Sequence, residues 1–377
     1  MKRTLIISLE FPPQLGGIAT YVEKLAGTLD TDKIIVLAPP TEEKDHDAKY
    51  PYMVVRKDFY FPKFIWPRWI KLLFIVRKLV KEYNIENIHV HHILPVGYVA
   101  WYMKKFSGVK YVLFSHGTDI EMASKVKRKN KFATKVGRGA EQIIVNSESL
   151  GIRLKAKFPE LAEKVTVMYP CPDTDFMIPP SVEEVEKLRS TLSLEGKKVL
   201  LSIGRLDEGK GFPYLVRYLP QILKKVPNLV WIVVGQGPKE KLIIELIRKN
   251  NLQNIVRFIG GVPHDDLKKY YYLADIFALL THPDITQGEE GLGLVFLEAS
   301  AVGMPIIAGK SGGVEEAVLN GKTGIVVESN NETEVVEALS TLIENTELAK
   351  QLGANAKQRI QQEFDWKAQL KKIETWL

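Results

Sequence analysis

Short runs of apolar, often β-branched residues alternate along the chain with longer segments whose apolar positions recur at helical spacing. Runs that are apolar throughout are typical of parallel strands whose two faces are both covered by helices. The expected fold class is therefore α/β, with Rossmann-like parallel sheets. The pattern predicts strands at 4–9, 33–38, 52–56, 87–91, 111–114, 142–145 and 165–167, and again at 199–204, 229–234, 255–259, 276–280, 305–308 and 324–327.

The alternation is interrupted at residues 169–175, where Pro170 and Pro172 stand among short polar residues. Such residues mark loops and boundaries, and 377 residues suffice for two domains. We expect an N-terminal domain at 1–170, a C-terminal domain at 171–360 and a ligand-binding cleft between them. The tail, 361–377, has apolar residues at near-helical spacing, which predicts a helix that packs back on the N-terminal domain.

No run approaches the roughly 18 uncharged apolar residues that a membrane span requires. The apolar start of the chain is interrupted at Ser8 and Glu10, so it is interpreted as the first strand and not as a signal peptide. The single cysteine, Cys171, fits a reducing compartment. Together these features favour a cytoplasmic protein.

The net charge of +7 is unevenly distributed, with 28 Lys and Arg against 17 Asp and Glu up to Pro170, and 24 against 28 after it. A basic amphipathic segment edged by tryptophan favours an anionic lipid surface. The alternative is a solvated helix whose apolar face is core. We expect peripheral association with the inner face of the cell membrane, and no nucleic acid partner, because no recognition module accompanies the charge. The basic residues concentrate at Arg68, Lys71, Arg77, Lys78 and Lys81 in a segment opening with Trp66 and Trp69, and at Lys125, Lys127, Arg128, Lys129 and Lys131.

Paired glycines, Gly16 and Gly17, follow the first predicted strand and precede a helix expected to run towards Leu29. Glycine lets backbone N–H groups approach an anion, and the helix dipole adds positive potential. The loop is thus a candidate phosphate site, with a plain turn as the alternative. Nicotinamide binding is disfavoured, because the Gly-x-Gly-x-x-Gly fingerprint is absent.

Arg205 and Lys210 lie five residues apart in a glycine-bearing loop after the strand predicted at 199–204. Open α/β sheets bind ligands at the carboxyl ends of their strands. A guanidinium and an ammonium there could hold a diphosphate and neutralise it as a leaving group. The alternative is a solvated loop with two surface charges.

Glu290 and Glu298 are separated by seven residues, with Gly291 and Gly293 after the first and a helix predicted to start near Leu294. The first N–H groups of such a helix are free to hold a phosphate. The carboxylates could accept hydrogen bonds from sugar and ribose hydroxyls. The plainer interpretation makes Glu290 a helix-terminal charge and Glu298 a surface residue.

His116 ends a predicted strand and is followed by Gly117 and Asp119, which favours a functional histidine over a structural one. The histidines at 89, 91 and 92 do not predict a zinc site, since only alternate positions share a strand face and no cysteine or carboxylate stands at ligand spacing. The Asp-Thr-Asp string at 173–175 is interpreted as structural. We expect no metal and no cofactor.

The segments around Gly16 and Gly17, 115–119, Arg205 with Lys210, and 290–298 together resemble the retaining glycosyltransferases of family 4. The resemblance covers nearly the whole chain. It implies the GT-B fold, in which two Rossmann-like domains face each other. Segments 11–18 and 290–300 are most similar to bacterial mannosyltransferases that glycosylate phosphatidylinositol, although Cys171-Pro172 replaces the Asn-Gly usual before the 173–175 string.

The resemblance also implies the role of each candidate residue. Donor sugar and nucleotide contacts would come from Glu290, Glu298 (ribose hydroxyls), His116 (near the reacting carbon) and backbone around Val262 (the base). The diphosphate would be held by Gly16, Gly17, Arg205, Lys210, and by Gly291 and Gly293 leading to the amides of Leu294 and Val295.

On this resemblance the chain transfers a hexose, with retention and without a metal, from a nucleotide-diphosphate sugar to a lipid-linked or other hydroxyl acceptor. GDP-mannose is the first donor expected and UDP-sugars the next. The residues leave open a glycosidase that uses Glu290 and Glu298 as acid and base, a nucleotide-sugar epimerase, and a non-catalytic nucleotide-sugar or lipid-surface binding protein. Cleavage of nucleotide-free glycosides, donor conversion without an acceptor, and absence of turnover would distinguish them.

Overall fold

The computed structural model describes residues 1–43, 45–284 and 288–377. It divides into two compact units, the first made of Met1–Pro170 with Trp366–Leu377 and the second of Cys171–Asp365. Each unit contains one sheet whose described strand ladders all run parallel. All the predicted strands are present, with ends that agree to within one residue, and the fold class is α/β as predicted.

The first unit is built on a sheet with the order β3-β2-β1-β4-β5-β6-β7. Thr4–Ser8 and Ile34–Ala38 are buried throughout and Lys110–Ser115 is buried after its first residue, which is why these sequences are almost continuously apolar. The edge strands Met53–Arg56 and Val165–Val167 are only partly buried. They are β1 (Thr4–Ser8), β2 (Ile34–Ala38), β3 (Met53–Arg56), β4 (Asn87–His91), β5 (Lys110–Ser115), β6 (Ile143–Val145) and β7 (Val165–Val167). The helices between them are α1 (Gly17–Thr28), α2 (Ile70–Tyr83), α3 (Val96–Ser107), α4 (Thr118–Ser124), α5 (Lys127–Gly139) and α6 (Glu148–Lys157).

The second unit repeats the plan with the order β10-β9-β8-β11-β12-β13. The helix predicted near Leu294 begins at that residue. The helices are α7 (Val182–Thr191), α8 (Phe212–Lys225), α9 (Glu240–Lys249), α10 (Leu267–Leu273), α11 (Leu294–Val302), α12 (Val314–Ala317), α13 (Glu332–Glu344) and α14 (Thr346–Glu363). The strands are β8 (Lys198–Ile203), β9 (Leu229–Val234), β10 (Val256–Gly260), β11 (Ile276–Leu279), β12 (Ile306–Gly309) and β13 (Ile325–Val327).

Strand order reverses direction at one point in each sheet, between β1 and β4 and between β8 and β11. At such a switch point the loops at the carboxyl ends of two neighbouring strands leave in opposite directions and open a crevice. The loop with Gly16 and Gly17 follows β1, and the loop with Arg205 and Lys210 follows β8. The sheets therefore place the predicted phosphate loops at the two positions where α/β folds bind ligands.

The tail predicted to start at 361 is shared between the units, because α14 continues to Glu363 within the second unit. Only Trp366–Leu377, which includes α15 (Trp366–Lys371), belongs with the first unit. There Ile373 and Leu370 join the core beside α1 and β1. The Trp376 carbonyl accepts a hydrogen bond of 2.9 Å from the Asn87 side chain.

The basic segment that opens with Trp66 and Trp69 differs from its prediction, since both tryptophans precede α2. Leu72, Val76 and Leu79 give α2 its buried face. Trp69 packs partly against the core, whereas Trp66 is 76% exposed. No helix among the described residues is long and apolar enough to cross a membrane.

Candidate active site

The predicted residues of the second unit lie either in segments that follow strands at the carboxyl edge of its sheet or in helix α11. Arg205 and Lys210 follow β8, Val262 follows β10, and Glu290 lies between β11 and α11. Since β8 and β11 are neighbours at the switch point, the loops that follow them meet there. The sheet order thus brings together side chains that are 80 residues apart in sequence.

The Lys210 ammonium donates to Glu290 Oε2, and the two side chains are 24% and 17% exposed. Burial by itself lowers the pKa of Lys210, but the carboxylates of Glu290 and Asp207 outweigh burial, so the pKa is raised. Lys210 is therefore held in its charged form. The pair is a fixed, partly shielded cation and anion in the crevice of the second unit.

Backbone contacts hold both ends of this pair. Gly211 has φ +69°, and a Cβ there would stand 1.8 Å from the Leu280 carbonyl oxygen, so only glycine lets the chain turn into α8 directly after Lys210. On the other side, the Glu290 N–H donates to Ser311 Oγ over 3.2 Å. The Glu290 carbonyl accepts from the Gly313 N–H over 3.0 Å. The loop carrying Glu290 is thus anchored to the loop that follows β12.

Arg205 extends from the same β8 loop and is the most exposed member of the cluster, with 64% of its side chain accessible. Its Nε lies 3.3 Å from Oδ2 of Asp207, a carboxylate that is itself buried. The charge of Arg205 acts on Lys210 by lowering its pKa, against the raising effect of Asp207. Asp207 therefore orients the exposed guanidinium without removing its capacity to bind an anion.

Helix α11 points its N-terminus into this loop region. Its N-cap is Gly293 at φ +89°, and no side chain caps the helix. A Cβ on Gly293 would come within 2.5 Å of the Phe296 ring and 3.6 Å of Glu290 Cγ. The first amides, those of Leu294 and Val295, thus begin beside Glu290, where an uncapped helix end offers N–H donors and positive potential to an anion. Gly291 continues the same loop.

Glu298 lies one turn further along α11 and is buried, with only 3% exposed. Its Oε2 accepts a 2.7 Å hydrogen bond from the Tyr271 hydroxyl, and its Oε1 stands 3.8 Å from His264 Nδ1. Burial and this carboxylate raise the pKa of Tyr271 well above its usual range. Tyr271 therefore remains a hydrogen-bond donor, and Glu298 keeps acceptor capacity on Oε1, which the predicted ribose contact requires. The ribose role remains a prediction.

In the first unit, Gly16 is the N-cap of α1, which has no side-chain cap. Glu10 Oε2 stands 3.5 Å from the position that a Cβ on Gly16 would occupy. Oε1 of the same carboxylate is 4.0 Å from Nε2 of His92. Gly17 begins α1 as predicted, but the loop also brings a carboxylate to the helix start, which the sequence pattern did not reveal. Diphosphate contact by Gly16 and Gly17 stays a prediction.

His116 follows β5, and both of its ring nitrogens are occupied by protein groups. Nδ1 lies 3.1 Å from the Asn146 amide nitrogen, and Nε2 lies 3.2 Å from Nδ1 of His91. Because an amide nitrogen only donates, His116 accepts at Nδ1 and carries its proton on Nε2, which donates to His91. The ring therefore has a defined tautomer. A substrate that bonded to the ring would have to replace one of these partners, and the predicted place of His116 beside the donor sugar remains a prediction.

Asp119 is the residue that ties the loops after β4 and β5 together. Its Oδ1 accepts from Ser115 Oγ at 2.8 Å and from the N–H groups of Gly117 and Ile120 at 3.1 Å. Its Oδ2 accepts from the Ile93 N–H at 3.0 Å. The carboxylate that accompanies His116 in the sequence thus fixes the loop that holds the histidine.

Four histidines are packed under this edge of the first sheet. Burial lowers the pKa of His89 and His116 to about 3, lowers that of His91 well below its usual range, and also lowers that of His92. These side chains are therefore neutral at physiological pH. Among the described residues, no group of three or more His, Cys, Asp or Glu side chains is arranged to hold a metal ion.

The Asp-Thr-Asp string at 173–175 opens a short 3₁₀ turn, Thr174–Met177. The Asp173 carboxylate accepts from the Asp175 N–H at 3.0 Å, and Asp175 pairs with Lys268 at 2.7 Å. The first contact caps the turn itself, and the second joins the turn to α10.

Comparison with known proteins matches this chain along its length. The Glycosyltransferase Family 4 profile matches residues 15–176, and the Glycosyl transferases group 1 profile matches residues 184–359. The structure of HepE from Anabaena, in complex with UDP and glucose, superposes with a TM-score of 0.84 at 22% identity, covering 100% of this chain and 99% of HepE.

The chain belongs to the GT-B glycosyltransferases of family 4.

Mannosyltransferases are among the relatives of this glycosyltransferase. A GDP-mannose-dependent alpha-(1-6)-phosphatidylinositol monomannoside mannosyltransferase of Mycobacterium tuberculosis is 29% identical, over 100% of this chain and 98% of the relative. The enzyme of Corynebacterium glutamicum that is named for a monoacylated form of the same acceptor is 26% identical, over 97% of this chain and 95% of its own length. The family and the narrower resemblance predicted from the sequence are both confirmed.

Several polar residues of this glycosyltransferase that contact the predicted ones were not found from sequence. The spacing of apolar residues does not report contacts between distant loops. Nothing in the sequence therefore distinguished Asp207, Ser311 and Tyr271 from other polar loop or helix residues. Asn146 had a weak signal, as a polar residue directly after the apolar strand β6. His91 was considered only as a metal ligand, whereas its observed partner is His116.

Proposed function

We propose that this glycosyltransferase transfers a mannosyl group from GDP-mannose, with retention and without a metal, to an inositol-containing glycolipid. The observation that carries the proposal is the Lys210–Glu290 pair at the second sheet's switch point, beside the uncapped start of α11. It offers a cation, helix amides and a carboxylate within one loop cluster. The relatives named for GDP-mannose and phosphatidylinositol mannoside acceptors support the choice of donor and acceptor.

The diphosphate is the part of the donor that this arrangement suits best. Lys210, Arg205 and the amides of Leu294 and Val295 supply positive charge and N–H donors, the roles that a metal fills in other transferases. Glu290, fixed by Lys210, accepts from hydroxyls of the transferred sugar. As the bond between the sugar and the phosphate oxygen breaks, the acceptor oxygen bonds to the same face of the sugar and its proton passes to the departing phosphate. Glu290 positions the sugar through hydrogen bonds and forms no covalent bond to it.

The donor is tested by thermal denaturation of the full chain with GDP-mannose, UDP-glucose, UDP-N-acetylglucosamine or GDP alone. Ligands that bind only the folded state raise its stability by about 2.7 kcal/mol at a hundred times Kd. We expect the largest rise in melting temperature with GDP-mannose and GDP. A larger rise with UDP-sugars would contradict the proposed donor, and no rise with any of them would contradict the donor site.

Placement on an anionic membrane is part of the proposal and rests on the surface of the first unit. Phe64 and Trp66 are 84% and 76% exposed. The Arg128 guanidinium of α5 lies 6.0 Å from the Trp66 ring, and Phe132 of the same helix packs on Tyr98. The aromatic loop before α2 and the basic helix α5 therefore share one surface. Exposed aromatic rings bordered by cations suit the interface of an anionic bilayer.

We expect the double variant Phe64→Ser/Trp66→Ser to lose about tenfold or more in partitioning to vesicles that contain phosphatidylinositol, since each ring contributes a large apolar area at the interface. Co-sedimentation at fixed lipid concentration measures the effect. Ile178→Ser/Val182→Ser in the second unit is the matched control, because these side chains are 60% and 79% exposed. If both variants lost vesicle binding equally, or if neither lost it, the assigned surface would be contradicted.

A further inference from the structure

Helix α5 carries more basic side chains than nearby carboxylates of the protein pair with. Its thirteen residues include six Lys or Arg and no Asp or Glu. Lys131, Lys135 and Arg138 are spaced four and three residues apart, so they share one face. In the described part of the chain, none of these three has a carboxylate within ion-pair distance. Like charges at this spacing repel each other, so the face favours an external anion.

This face borders a groove of about 740 Å³ in the first unit. The end of α5 leads into the amino end of β6, so the groove opens at the sheet edge opposite His116. The Lys135 ammonium stands 4.3 Å from the centroid of the Trp101 ring, which holds it at the groove wall. The residues that line the groove include Trp101, Lys131, Thr134, Lys135, Arg138 and Glu160. Three cations face one carboxylate, so the groove is net positive.

Thr134 gives the groove a polar group without a partner. The residue is only 8% exposed, and its hydroxyl has no hydrogen-bond partner among the described residues. Threonine hydroxyls within helices commonly bond to the carbonyl one turn earlier, and this one does not. A buried hydroxyl left unpaired is costly, and a rotation of the Thr134 side chain towards the groove would let a ligand acceptor satisfy it.

We propose that this groove binds a phosphate group, carried either by a small soluble anion or by a lipid headgroup. A phosphate has several acceptor oxygens and a charge that matches a guanidinium fork and two ammonium groups. After a rotation of its side chain, the Thr134 hydroxyl donates to one further oxygen. The groove is lined by residues of the first unit alone, and the proposal does not depend on the proposed transfer reaction.

The test uses the full chain, with glycerol 3-phosphate as the soluble probe and phosphatidylcholine vesicles with or without phosphatidylinositol as the membrane probe. Calorimetric titration gives the Kd for the soluble anion, and co-sedimentation gives the partition coefficient. We expect saturable binding of at least one probe. Binding of the soluble anion assigns a free phosphate compound to the groove, whereas binding of phosphatidylinositol vesicles alone assigns a headgroup. Failure of both overturns the site.

The triple variant Lys131→Gln/Lys135→Gln/Arg138→Gln should weaken binding by about a hundredfold, since charge-assisted hydrogen bonds are lost. Lys241→Gln/Arg248→Gln/Lys249→Gln on α9 removes the same charge from exposed positions of the second unit and should retain the wild-type Kd. Thr134→Val should weaken binding about threefold to tenfold without lowering the melting temperature, because its hydroxyl bonds to no protein group. Equal weakening by the control triple, or wild-type affinity in Thr134→Val, would overturn the assignment.

Discussion

Lys210→Met is expected to lower kcat/KM for glycosyl transfer about 10²–10³-fold, the usual effect of removing one preorganised charge from a site where negative charge develops. The substitution removes the ammonium that faces the proposed diphosphate and leaves Glu290, whose side chain is 17% exposed, without its partner. An unpaired, partly buried carboxylate also destabilises the fold. We therefore expect a lower melting temperature together with lost transfer, measured as release of nucleotide from GDP-mannose.

The double variant Lys210→Met/Glu290→Gln separates these two effects. Replacing both members of a shielded ion pair is often nearly neutral for stability, because no charge is left unpaired. We expect the melting temperature to return close to wild type while transfer stays abolished. Lys268→Met is the matched control, since Lys268 pairs with Asp175 at 2.7 Å in the same unit, and it should retain full activity. Recovery of transfer in the double variant would contradict the role of the pair.

The sheets could be predicted because their signal is local. A strand buried on both faces is usually apolar along its whole length, as in β9, where Leu229–Val234 is buried throughout. The start of α11 was equally clear, since Gly291 and Gly293 come just before an apolar run. The segment at 66–69 misled the prediction because tryptophans at helical spacing fit a helix start as well as an exposed loop. Spacing does not report exposure, and Trp66 proved to be in the loop.

The chemistry of the site was only partly predictable. Sequence showed that Lys210 and Glu290 each follow a strand, and parallel topology implies that such loops share an edge. Which loops are neighbours depends on the order of the strands in the sheet. The sequences of β8 and β11 do not by themselves predict that these two strands are adjacent. The ion pair was therefore missed, and Lys210 was assigned to the diphosphate alone. Its carboxylate partner changes that interpretation, because part of the lysine charge already serves to fix Glu290.

His116 shows the same limit in another form. The sequence identified a histidine at a strand end, which is a frequent place for a catalytic group. The sequence could not show that β4 places Nδ1 of His91 3.2 Å from Nε2 of His116. Nor could it show that the Asn146 amide contacts the other ring nitrogen, Nδ1. The buried, neutral histidines of the first unit also affect the stability of the fold, whatever their part in catalysis.

The effect of these buried histidines is a loss of stability in acid. Folding holds the pKa of His89 and His116 at about 3, whereas unfolded histidine has a pKa near 6.5. Between these values the unfolded chain binds more protons than the folded one, so stability falls as pH falls below about 6.5. Each histidine contributes about 1.4 kcal/mol per pH unit in that range. For the two together, the loss between pH 6.5 and 4.5 is on the order of 5 kcal/mol, comparable with the whole stability of many domains.

We expect urea unfolding, followed by tryptophan fluorescence, to show this dependence in the free energy of unfolding. His89→Gln removes one titrating group from β4 and should reduce the slope by about 1.4 kcal/mol per pH unit below pH 6. Val90→Ala disturbs the same strand by leaving a cavity in the core, without removing a titrating group. This control should lower stability equally at every pH and keep the wild-type slope. A His89→Gln slope equal to wild type would mean that the folded protein already accepts the proton at this histidine, in contradiction to its burial among Phe114 and the core of the first sheet.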